Sequence, residues 1–214
     1  TIEYVFDFVA ENDVLMTLGL HPTRPDSNYG YIQACGGQEV QKSNKPMEVK
    51  TFTEKPDKEL AKIFINTGEF FWNSGILVWK ARAIREEMEK HLPEVTGLFK
   101  GWENALGTKI EGEFILRTFT DIPNISINYG VMEKTDRAWM FPAKFDWQDI
   151  GSWESLYNFI PEKDINGNVI GPEKHLVENC RDIMVMTPDR KKKMVAIKGL
   201  EDFMVIDTDD ALVI

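Results

Sequence analysis

The sequence predicts an α/β fold followed by a small all-β part. Three observations carry this. Helical and strand-like apolar patterns alternate over the first 160 residues or so. From residue 164 the helical period stops, and short strand-like runs recur every ten residues or so with turn residues between them. The composition is globular: 43% hydrophobic, 28% charged and 11% aromatic over 214 residues, enough for one sizeable core or a core plus a small second one. The expected division is 1–163 for the α/β part and 164–214 for the β part.

Ile2, Val5, Phe6 and Val9 share one face at helical spacing, and Asn12-Asp13 ends that helix. Residues 14–20 are an almost unbroken apolar run, which predicts a buried strand stopped by His21-Pro22. A helix feeding a strand, with no strand before it, is an odd opening for a βαβ unit. The reading therefore expects a preceding half-domain. It also expects apolar surface left on Ile2, Val5, Phe6 and 14–20, with self-association or a loosely ordered N-terminal segment as the result.

A loop braced by Pro22 and Pro25 leads to Gly30. Strands are predicted at 31–34 and 47–53, either side of the Gly36-Gly37 turn. Asp57 should cap a helix carrying Leu60, Ile63 and Phe64, with Gly68 as its C′ residue. Phe70-Phe71-Trp72-Asn73-Ser74-Gly75 precedes a strand at 76–79. Helices follow at 81–92, 94–106 and 111–118, then an extended piece at 123–128 and a short helix at 129–135. Strands at 138–141 and 144–147 lead into Asp149-Ile150-Gly151, and Ser152 should cap a helix at 153–160, with Glu154 in its first turn. Beyond the Asn166-Gly167 turn, strands are predicted at 182–186, 194–198, 203–207 and 211–214.

The net charge of −10 and pI near 4.9 argue against a nucleic-acid partner, while leaving room for a locally basic pocket for a small phosphate. Two cysteines, Cys35 and Cys180, and three histidines, His21, His91 and His175, are scattered. They offer neither a zinc pattern nor a disulfide framework, so a reducing, cytoplasmic setting is expected. No apolar run is long enough to span a bilayer, so no membrane partner is expected, and residues 1–4 carry no signal-peptide pattern.

Four short stretches could carry chemistry. Tyr29-Gly30-Tyr31 offers backbone to sugar hydroxyls and aromatic faces to C–H groups; the plain alternative is a structured loop. Glu54-Lys55-Pro56 sets a hydroxyl acceptor beside a phosphate-neutralising ammonium. Strand neighbours point opposite ways, so both can face one pocket only if the strand ends or bulges there. The alternative is a surface ion pair. Asn73-Ser74-Gly75 supplies amide, hydroxyl and bare backbone, or is simply a turn. Asp149 beside Gly151 places an acid where open α/β sheets put ligand chemistry, or forms a capped turn. Plainer readings suit the rest: a hairpin tip at 190–193, an acidic turn at 207–210, and a turn rather than a calcium site at 164–168.

Taken together and in order, Pro22-Thr23-Arg24-Pro25, Tyr29-Gly30-Tyr31-Ile32, Phe52-Thr53-Glu54-Lys55-Pro56, Trp72-Asn73-Ser74-Gly75 and Trp147-Gln148-Asp149-Ile150-Gly151-Ser152-Trp153 resemble the mannose-1-phosphate guanylyltransferases over essentially the whole chain. The resemblance implies a nucleotide-diphospho-sugar transferase α/β domain with a Rossmann-like mixed sheet, followed by a short left-handed β-helix. It implies GTP and mannose 1-phosphate as substrates, Mg²⁺ as cofactor and a homodimer when intact. Asp149 would be one of two Mg²⁺ carboxylates and, with Lys55 on the mannose phosphate, a catalytic residue. Glu54, Asn73 and the Tyr29-Gly30 backbone would hold the sugar, while Ser74, Gly75 and Gly151 would shape the pocket. Asp26 and Asn28 stand where the family often has Glu and Gly, and Asn128 where Asp is usual; no catalytic role is given to Asn128. The family's glycine-rich nucleotide loop has no counterpart, since no Gly-x-Gly-x-Arg pattern occurs. The stretch thus resembles the sugar-phosphate portion of such an enzyme and is expected not to turn over alone. The competing readings are a non-catalytic sugar-phosphate module, and a related transferase using another sugar or nucleotide.

Overall fold

In the computed structural model, which describes residues 2–145, 147–189 and 193–214, β1 (Leu15–Leu20) is buried at every position. It pairs antiparallel with β4 (Phe70–Trp79) and parallel with β5 (Ala138–Ala143). β2 (Tyr31–Ala34) joins β4 and β3 (Met47–Thr53), both antiparallel, and β3 meets β5 at Met47↔Met140 and Glu48↔Trp139, closing the five strands into a ring. One face packs Met16, Leu18 and Leu20 against α1 (Ile2–Glu11) and α2 (Lys58–Thr67). The other packs Leu15, Phe71 and Met140 against α3 (Ala81–His91), α4 (Pro93–Leu98) and a π-helical turn, Asn128–Met132. Cover on both faces is why β1 reads as an almost unbroken apolar run. The uncovered surface expected there is absent from β1 and Val5, and remains only on Ile2 and Phe6, 47% and 57% exposed.

The predicted caps form. Asp57 accepts from Leu60 N–H at 2.8 Å, and Gly68 ends α2 in the left-handed region at φ +68°. The helix expected at 94–106 is broken: α4 ends at Leu98, and α5 (Trp102–Ala105) restarts after Gly101 at φ +88°. α6 (Glu111–Asp121) follows as predicted. No strand forms at the described residues of 144–147. β5 runs on to Ala143 instead, and the Trp147 ring packs 5.3 Å from Tyr29.

Gly19 sits where the strands crowd. An added Cβ would overlap Met140 Sδ and lie 2.8 Å from Met140 Cγ and 3.0 Å from Phe71 Cβ. Both neighbours are fully buried and have nowhere to move. Gly19→Ala is therefore expected to destabilise by about 1–3 kcal/mol through overpacking. A thermal melt superimposable on wild type would contradict this.

Compactness divides the chain into Thr1–Trp147 and Gln148–Ile214. The second unit holds α7 (Trp153–Phe159) and six short strands. β6 (Val169–Ile170), β8 (Met184–Met186) and β10 (Met204–Asp207) stack in parallel, as do β7 (Lys174–Glu178) and β9 (Met194–Lys198), while β11 (Leu212–Val213) returns antiparallel along β10. The corners repeat: left-handed Asn179 and Asp182 are matched by Gly199 and Asp202 one coil later. Tyr157 ties α7 to these coils by donating to Gly167 O at 2.7 Å. Asp164 accepts from the N–H groups of Asn166 and Asn168, as a turn should. Thr208 N–H bonds Ala211 O, closing the acidic turn. The tip at 190–192 lies outside the described residues.

Candidate functional site

Asn73, Ser74 and Gly75 lie inside β4, which begins at Phe70 rather than at 76, so the plain alternative of a turn does not hold. The register passes from Thr17↔Leu77 to Gly19↔Asn73, so β4 carries extra residues against β1. This is a bulge, with Gly75 in the left-handed conformation at φ +74° that it needs. β2 pairs up to Trp72, and β1 pairs at Asn73 and again from Leu77, so the bulge between them re-aims Asn73 and Ser74. Both are buried. Thr17 Oγ1 donates to Asn73 Oδ1 at 2.6 Å, and Asn73 N–H donates to Gly30 O at 2.7 Å. Committing Oδ1 to Thr17 leaves the Asn73 amide NH₂ as its ligand-facing donor. Ser74 Oγ accepts from Ile76 N–H at 3.1 Å, which places it as a brace of the bulge.

Gly30 is the close-approach position. An added Cβ would lie 2.6 Å from Glu54 Oε2, 3.3 Å from Asn73 Cβ and 3.6 Å from Phe52 Cε1. Three of the residues singled out by sequence therefore surround one point. β3 ends at Thr53, so Glu54 and Lys55 are free of strand alternation, and exposed Lys55 takes a left-handed conformation at φ +45°. Glu54 is half-buried. Its N–H donates to Glu133 Oε1 at 2.9 Å, its Oε2 accepts from Asn128 Nδ2 at 3.1 Å, and its carbonyl accepts from Tyr129 OH at 3.4 Å. Burial pushes its carboxyl above the usual range; Lys55 and Asn128 pull it down, and Glu133 pushes it up again.

Tyr29 contributes differently from expectation. Its ring is buried between Trp72 and Trp147 at centroid distances of 4.9 and 5.3 Å, so it cannot serve as a sugar platform. The Arg24 guanidinium covers the Tyr29 and Trp72 rings at 5.8 and 5.3 Å and pairs with Asp26 at 2.9 Å. Asp26 also accepts from Asn28 N–H at 3.0 Å, while its backbone N–H and C=O bond Tyr31 OH. These contacts hold the loop so that what it offers is backbone at Gly30.

Asp149 and Gly151 belong to the second unit, both exposed. Ser152 caps α7 as predicted, accepting from Ser155 N–H at 3.1 Å. A Cβ on Gly151 would make ordinary contact with the Asp149 carboxylate, at 3.5 Å or more, so the space there does not require glycine. Among the described residues no group of three or more His, Cys, Asp or Glu is assembled for a metal. One hard carboxylate still suits Mg²⁺, which takes one or two protein carboxylates and fills its octahedron with water and substrate phosphates.

Sequence reasoning missed Asn128 and Glu133, which reach Glu54 from 74 and 79 residues away, and Thr17, which sets the Asn73 amide. No local pattern marks any of them. The expected helix at 129–135 held Glu133 but left Asn128 in the extended piece at 123–128, so nothing joined the two.

Residues 3–164 match the family model described as nucleotidyl transferase. The chain is 34% identical over 208 residues to a mannose-1-phosphate guanylyltransferase of Klebsiella pneumoniae, covering 96% of this chain and 42% of that protein. It is 34% identical over 212 residues to the alginate biosynthesis protein AlgA of Pseudomonas aeruginosa, covering 96% of this chain and 41% of that one. The chain thus spans less than half the length of these relatives. Among solved structures it resembles a Thermus thermophilus protein described as a mannose-1-phosphate geranyltransferase. The TM-score is 0.75 at 26% identity, over 99% of this chain and 58% of that one.

Proposed function

The chain belongs to the nucleotidyl transferase family, and from that premise we propose that it forms the sugar-phosphate side of an enzyme making GDP-mannose and pyrophosphate from GTP and mannose 1-phosphate. The observation that carries this is the convergence of the Gly30 backbone, the Glu54 carboxylate and the Asn73 amide, with Lys55 next in the chain. An acceptor, a donor and a bare backbone suit hydroxyls, and an exposed ammonium suits a phosphate monoester.

In the proposed reaction a phosphate oxygen of mannose 1-phosphate attacks the α-phosphorus of GTP in line. The new P–O bond forms as the bond to the β-phosphate oxygen breaks, and pyrophosphate leaves. A phosphate monoester is already largely ionised at neutral pH, so no general base is required. Positioning and charge neutralisation do the work. Lys55 neutralises the attacking phosphate. Glu54 and Asn73 fix the sugar, Ser74 and Gly75 hold the bulge that positions Asn73, and Gly151 stands beside the Asp149 carboxylate. Asp149 supplies one carboxylate for Mg²⁺, which when bound would neutralise charge on the phosphates.

The same reading keeps a domain boundary at 163/164, followed by a β-helical appendage through which the intact protein would dimerise, in the cytoplasm. It also holds that these 214 residues do not turn over by themselves. Two measurements test it. Calorimetry should detect mannose 1-phosphate binding to the chain. The parent protein should release pyrophosphate from GTP only with mannose 1-phosphate and Mg²⁺ present. Release with glucose 1-phosphate in its place, or from these residues alone, would refute the corresponding part.

A further inference from the structure

Asn128 opens the π-helical turn Asn128–Met132, an element whose extra residue per turn frequently marks functional positions. The turn is anchored by buried Val131 and Met132, and by Gly130, where an added Cβ would lie 2.8 Å from Leu92 Cδ1. Asn128 Nδ2 donates to Glu54 Oε2 at 3.1 Å. A carboxylate can only accept here, so this contact fixes the amide: NH₂ faces Glu54, and Oδ1 faces away from it. That Oδ1 is buried and, among the described residues, has no hydrogen-bond partner. A buried acceptor without a donor is unfavourable, and this one lies a single amide group from a carboxylate that itself has acceptor capacity to spare.

Two adjacent acceptors, rigidly held, call for a ligand that brings two adjacent donors. Building on the sugar-phosphate reading above, we propose that Asn128 is a specificity-determining residue of that site. Its Oδ1 accepts from one hydroxyl of the hexose while the Glu54 carboxylate accepts from the neighbouring hydroxyl, so the pair reads a vicinal diol. Asparagine suits this better than an acid. It offers the same acceptor while donating to Glu54, whereas an aspartate would set another carboxylate beside Glu54 and Glu133.

The experiment is calorimetric titration of the chain with mannose 1-phosphate and with its 2-, 3-, 4- and 6-deoxy analogues, on wild type and Asn128→Ala. The expected result is about a tenfold loss of mannose 1-phosphate affinity on substitution, a loss that vanishes for the one analogue lacking the hydroxyl read by Asn128. An equal loss with every analogue, or none with any, would overturn the inference alone. No binding of mannose 1-phosphate to wild type would overturn the underlying reading and the inference with it. Should Asn128→Ala melt early, Asn128→Asp takes its place. It should keep the analogue pattern while moving the pH dependence of binding upward, because the added carboxylate raises Glu54 further. An unmoved pH dependence would overturn the proposal.

Discussion

Replacing Lys55 by glycine is expected to raise the melting temperature while cutting mannose 1-phosphate affinity about ten- to a hundredfold, the range of a hydrogen bond to a charged group. Lys55 sits at φ +45° with a side chain whose Cβ crowds the backbone there. For a residue other than glycine that conformation costs about 1–2 kcal/mol. Glycine removes the strain but gives back about 0.5–1 kcal/mol through its looser unfolded chain, so the net gain is small and positive. The other local loss is the attraction of Lys55 for the Glu54 carboxylate, which is small because the lysine side chain is exposed, and the hydrogen bonds of Glu54 are made by its own backbone and carboxylate. A strained lysine where glycine would fold better is what a ligand-binding role predicts. Lys55→Asn separates the two effects, since asparagine tolerates the left-handed region and also lacks the charge. It should match glycine in the binding loss and fall between the two in stability. If Lys55→Gly left binding intact, Lys55 would be an ordinary turn residue.

The contrast between Lys55 and Asn128 explains what a reading of the chain could recover. Local signals were legible. β1 is buried throughout and apolar but for Thr17 because both its faces are covered, and Asp57, Gly68 and Ser152 cap helices with chemistry that depends on the three or four residues beside them. Glu54-Lys55 and Asn73-Ser74-Gly75 were singled out for the same reason: the chemistry is contiguous. What failed was anything decided by distant pairing. Asn73-Ser74-Gly75 is turn-like by composition, yet β2 pairing up to Trp72 and β1 pairing at Asn73 and again from Leu77 keep it inside one strand as a bulge. β7 is five residues, Lys174–Glu178, four of them exposed, and only its parallel partner β9 makes it a strand. Asn128 offers no pattern of its own, because its meaning comes from a carboxylate 74 residues earlier.

Glu54→Gln should likewise stabilise the fold at neutral pH and weaken sugar binding. Burial raises the Glu54 carboxyl above its ordinary 4.5, Lys55 and Asn128 oppose that, and Glu133 adds to it. Between the unfolded value and the raised folded value, the native chain holds a proton that the unfolded chain has lost. Stability then falls as pH rises through that window, and the full penalty is present above it. Glutamine carries no charge to desolvate and can still accept from Asn128. Its melting temperature should therefore exceed wild type at pH 7 and converge with it below the window. Binding should run the other way. Wild-type affinity for mannose 1-phosphate should climb as Glu54 ionises, and the variant should lack that rise. The ligand's own second ionisation, near pH 6, acts on both proteins and cancels in their ratio. A glutamate kept for structure alone would show neither behaviour: losing it would lower the melting temperature at pH 7, and the affinity ratio would stay flat with pH. The two measurements together ask whether the fold holds Glu54 against its own stability, as it holds Lys55, for the sake of a ligand.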